Sequence, residues 1–166
     1  MRLFPRFLPL ALPILLAVFA LAPDVPAQEK RPALTLESVK VEPASPGPDT
    51  LCSLAVTVRS SGTLRASALE LSVKVNGKEL PAYKDRLYLE AVEPGTAREI
   101  RLFKFWSTEP GRPAPADGRL QVEVTLARAA WMDKEVTDGA EVWTAAGPVE
   151  GLPVTKSVVL PMKKTP

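Results

Sequence analysis

Histidine is missing from this 166-residue chain, and cysteine occurs once. Without imidazole there is no Ser-His-Asp or Cys-His relay and no histidine metal ligand. With one thiol there is neither an intrachain disulfide nor a thiolate zinc cluster. An excess of charge is missing too, because 21 Lys and Arg against 19 Asp and Glu leave a net charge of +2. So even a balance gives no electrostatic basis for nucleic acid or an anionic membrane as partner. Beyond residue 27 no apolar i, i+3, i+4 stretch is long enough for a helix.

What is present begins with Arg2 and Arg6, then an apolar run over 7–22 interrupted by Pro9 and Pro13, then Val25-Pro26-Ala27. This is the layout of a secretory signal peptide over 1–27, with the cut expected after Ala27. Sixteen residues broken by two prolines fall short of the ~20 that span a bilayer, so no stable membrane span is expected after cleavage. The expected location is exported, periplasmic or extracellular. The cut removes two arginines and Asp24, which lowers the charge from +2 to +1. Residues 28–33 read as a short leader, 34–162 as one domain and 163–166 as a basic C-terminal tail. The exported part is ~41% apolar, and a chain of that size buries enough surface for a two-layer core without staples.

Period two dominates that part. Over 51–59, Cys52, Leu54, Val56 and Val58 fall on one face; over 68–75, Leu69, Leu71, Val73 and Val75 do; over 120–126, Leu120, Val122, Val124 and Leu126 do. Each run predicts a strand with one dry face and one wet face in an antiparallel sheet. Weaker strands are expected over 34–41, 86–89, 98–106 and 155–160. The first changes phase near Glu37 and Ser38, and the third between Leu102 and Phe103, which predicts a bulge or a change of sheet at each. Asn76-Gly77 predicts a tight hairpin into 78–82. Seven to eight short strands separated by turn residues point to an all-β fold, an antiparallel β-sandwich.

The opening strand closed by Pro43, the Asp49-Thr50 before the second strand and the Ser60-Ser61-Gly62-Thr63 turn after it resemble bacterial CARDB-type (cell-adhesion-related) immunoglobulin-like domains. Asn76-Gly77-Lys78, Pro94-Gly95-Thr96 and Asp117-Gly118 are similar to their later turns, so the resemblance covers about 34–128. It implies an immunoglobulin-like sandwich serving as an extracytoplasmic spacer or a binding or adhesion module without catalysis, and it brings no set of functional residues. The chain departs from the pattern after Leu126, with an atypical loop expected over 129–153 that carries two of the three tryptophans.

Cys52 shares the dry face of its strand, so it reads as a core residue with a raised pKa. Many immunoglobulin domains would pair it with a cysteine on the sixth strand, where this chain has leucines and valines.

The segment 131–143 is the most unusual. Trp131, Met132 and Trp143 are candidates for contacting a glycan or a protein partner from one end of the sandwich. In the other reading the tryptophans fold back over the open end, with Val136, Val142 and Met132, as an extra hairpin about Asp138-Gly139. Area burial favours the second. Asp133, Glu135, Asp138 and Glu141 offer oxygen ligands, but their spacing departs from an EF-hand and Lys134 lies among them. They read as a solvated acidic loop first and a calcium site second, so no cofactor is expected.

No phosphate loop, Ser-x-x-Lys or Gly-x-Ser-x-Gly is present, and no carboxylate sits in an apolar segment that would make it a general acid. The chain therefore reads as a non-enzymatic module. Trp106, beside Phe103 and Phe105, reads as a core aromatic cluster or, if exposed, as an interface. Two further functions stand as alternatives: a secreted carbohydrate- or ligand-binding protein using the Trp131–Trp143 loop, and a spacer or assembly subunit pairing through an edge strand such as 86–89.

Overall fold

The computed structural model describes residues 33–86 and 89–163. The expected signal peptide, most of the leader, the end of the basic tail and the centre of the 86–89 strand lie outside the described residues. Nine strands occur among those described: β1 (Leu34–Glu42), β2 (Leu51–Ser60), β3 (Arg65–Val75), β4 (Lys78–Glu79), β5 (Tyr83–Lys84), β6 (Ala97–Trp106), β7 (Arg119–Thr137), β8 (Ala140–Pro148) and β9 (Val154–Pro161). The count differs from the expected seven to eight because the strand expected over 78–82 is split into β4 and β5 and because β8 forms where a loop is expected. All pairings are antiparallel, and no helix of the described residues is long and apolar enough to cross a membrane.

One sheet has the order β1-β2-β6; the other runs β4-β3-β7-β8, with β5 also on β3 and β9 also on β7. Val56 and Ile100 from the first sheet and Leu71, Val124 and Leu126 from the second are fully buried in one shared cluster. Burying each such side chain contributes roughly 1.5–3 kcal/mol, which makes this common core the main force holding the sheets together. Cys52 is part of it, and burial pushes its thiol pKa up.

Both expected phase changes are bulges. The β1–β2 register shifts between Leu36 and Ser38, and Leu102 is the extra residue of β6 opposite Leu54 and Ala55. A third bulge lies in β7, where Glu70 faces Arg128 but Leu71 faces Leu126, so Ala127 is unpaired. One extra residue flips every following side chain, and the inward positions pass from Leu126 to Ala129 and Trp131. The stretch expected as a loop over 129–153 is therefore largely sheet. β7 carries its pairing past the end of β9 onto β8, and positive φ at Asp138 and Gly139 closes the hairpin.

Candidate functional site

The β7–β8 hairpin holds the residues that the sequence singled out. Strand alternation places Trp131 opposite Gly147 and Trp143 opposite Lys134, so the two indoles project from opposite faces. Trp131 turns to the core side and packs on Gly62: a methyl group added to that glycine would lie 2.9 Å from Cζ3 and closer still to Cη2. Trp143 is 38% exposed, and the Arg65 guanidinium stacks over its ring at 4.3 Å. Met132, opposite Arg65, is buried and shares the face of Trp143. The three candidates thus form no common platform.

The four carboxylates also divide. Glu141 lies on the face of Lys134 and pairs with it, Asp133 and Glu135 lie on the other face, and Asp138 is in the turn. Among the described residues no three Cys, Asp or Glu side chains come close enough to hold a metal ion.

An extended concave surface lies away from the hairpin. A groove of about 820 Å³ opens between β6, the edge of one sheet, and the β4–β5 edge of the other. Leu80, Ala82 and Tyr83 form one wall, Phe103, Phe105 and Trp106 the other, and the proline-rich stretch 110–115 closes one end. Local sequence explains the walls. Pro81 has no N–H and cannot continue a ladder, so the edge beyond the Asn76-Gly77 turn breaks into β4 and β5, with Leu80 and Tyr83 packed against the margin of the core. The Leu102 bulge turns Phe103 and Phe105 inward together while Trp106 stays 50% exposed.

Charge rims this apolar surface: Lys78, Lys84, Lys104 and Arg112 line the groove with a single carboxylate, Glu109. Glu109 is gripped by Lys78 and, at 3.2 Å, by Arg112, and the Lys78 ammonium holds its carboxyl below the usual range. Lys84 does the same to Glu70 at 2.9 Å. Burial, followed by Glu90 and Asp85, raises the Tyr83 phenol.

The strand expected over 86–89 is not formed at its described ends, Arg86 and Leu89. Asp85 instead accepts hydrogen bonds from the Leu89 and Glu90 N–H groups at 3.0 Å. The open edge on this side of the molecule is β6. Its aromatic cluster is visible in the sequence, whereas the opposite wall has Pro81 after an Asn-Gly turn as its only signal there.

No protein-family model matches the chain, and no curated protein does. Among solved structures it is similar to the CARDB domain of a Pyrococcus furiosus protein, in complex with di-metal ions, at 15% identity and a TM-score of 0.47, covering 81% of this chain and 96% of that one. A domain of a Methanosarcina acetivorans protein assigned to the cell surface is similar at 12% identity and a TM-score of 0.46, covering 81% and 95%. The sporulation control protein Spo0M from Bacillus subtilis is similar at 11% identity and a TM-score of 0.40, covering 80% of this chain and 50% of that one.

Proposed function

We propose that the chain is an exported, non-catalytic binding module on an immunoglobulin-like sandwich, and that its groove holds an extended segment of a protein partner. The observation that carries this reading is the groove itself: concave and walled mainly by aromatic and aliphatic side chains, with a few charged groups among its lining. The division into β1-β2-β6 and β3-β7-β9 supports the sandwich, and the apolar run that follows Arg2 and Arg6 and ends before Ala27 supports export. Absence of catalysis is supported by the groove's chemistry, since its one carboxylate is held ionised by Lys78 and Arg112 and lacks the raised pKa of a general acid.

The test is a peptide array probed with the wild-type chain and two variants. Ala82→Arg, at an exposed wall position, fills the groove, whereas Trp143→Ala strips the hairpin of its exposed indole. The expected outcome is a set of bound peptides lost with Ala82→Arg and kept with Trp143→Ala. The reverse pattern would move the binding surface to the hairpin and overturn the reading.

A further inference from the structure

Resting on the reading of the groove as a polypeptide site, we propose that the partner segment joins β6 as an added strand, and that it alternates apolar with acidic residues. β6 pairs with β2 along one side only, over ten residues that include neither proline nor glycine. Its other side is a row of main-chain N–H and C=O groups without a ladder, the template that strand addition uses.

The groove follows that edge. Four consecutive residues, 103–106, line it, although alternation sends Phe103 and Phe105 inward and leaves Lys104 and Trp106 outward. A surface touched by four residues in a row runs along the strand and meets its main chain. Four residues of strand extend ~13 Å, room for alternate side chains of a guest to drop between the aromatic wall of β6 and Leu80 and Tyr83. The facing edge offers no competing template, because Pro81 interrupts it and β4 and β5 have two residues each.

Charge selects the guest. Lys78, Lys84 and Arg112 are each tied to a glutamate, whereas Lys104 enters no ion pair among the described residues. Arg101 lies on the same outer face, since Ala55 and Ser53 are their partners across the ladder. A guest strand with carboxylates on its outward positions would meet these cations directly. Pairing of β6 with a second copy would instead set Arg101 and Lys104 against their own kind, with Glu99 as the lone opposite charge on that face of the strand.

The experiment titrates the full chain, carrying Trp131→Phe and Trp143→Phe so that emission reports Trp106, with a capped nonapeptide of alternating valine and glutamate, following fluorescence and amide hydrogen exchange over 97–106. Two controls keep the valines: one replaces each glutamate by lysine, and the other is methylated at every peptide nitrogen, which keeps the side chains and removes the donors. The parent peptide is expected to bind and to slow exchange along β6, with each control binding at least about tenfold more weakly, the loss of roughly one charge-assisted or two neutral hydrogen bonds. Equal binding of the methylated peptide overturns strand addition while leaving the groove reading intact. Equal binding of the lysine peptide overturns the acidic partner. Parent binding unchanged in Ala82→Arg overturns both readings, and no parent binding at millimolar concentration overturns this inference alone, since the array judges the groove.

Discussion

The hairpin and the groove lie at opposite ends of β3, and they are exposed for different reasons. At the hairpin, β7 and β8 run past the rest of the sheet as a two-stranded ribbon, so both faces meet water and Val136 is 70% exposed. At the groove, two sheet edges diverge and leave apolar walls that a third element would cover. Convex exposure costs little and offers a guest few contacts; concave exposure concentrates contacts on it. Exposure alone therefore does not mark a site, and the shape around the exposed residue decides.

The contrast can be broken by stability measurements. Phe105→Ala removes a buried ring from the foot of the groove wall and is expected to cost about 3–5 kcal/mol in urea unfolding, whereas Val136→Ala on the ribbon is expected within about 0.5 kcal/mol of wild type. Comparable losses at the two sites would erase the distinction. The root of the hairpin is packed even though its tip is not. Gly62→Ala is expected to cost about 1–3 kcal/mol because the added methyl meets the Trp131 indole, and Trp131→Ala in the same chain should remove that clash, which a double-mutant cycle reads.

A smaller effect tests the outer face of the ribbon. The Arg65–Trp143 stack should give a coupling of about 0.5–1 kcal/mol in a cycle with both residues changed to alanine. The smallest concerns pH at the groove rim. Because Lys78 lowers the Glu109 pKa in the fold, the contribution of Glu109 is present above the ordinary carboxyl value of 4.5 and is lost as pH falls through the depressed one. The stability difference between wild type and Glu109→Gln is therefore expected to be slight at neutral pH and to vanish as pH falls below about 4.5, with no reappearance at lower pH.

Much of the fold was legible because it is local. Leu54, Val56 and Val58, or Leu120 to Leu126 in steps of two, announce a half-buried strand without help from any other part of the chain, and phase changes near Ser38 and Leu102 announce bulges. The candidate site was not legible, because its walls come from 80–84 and 103–106, which meet through the packing of two sheets. The Ala127 bulge likewise leaves no mark in an alanine-rich stretch, yet it decides which face Trp131 occupies.

β7 has one further consequence. Its nineteen residues extend ~60 Å, and the same edge is given first to β9 over 119–126 and then to β8 over 130–137. The ribbon is thus not hinged to the body by a linker but is the continuation of a core strand. A lateral load on the hairpin tip acts through a lever whose near arm is Leu120, Val122, Val124 and Leu126, and it is borne by the ladders with β3 and β9 in shear. Whatever attaches at the tip pulls on the centre of the molecule.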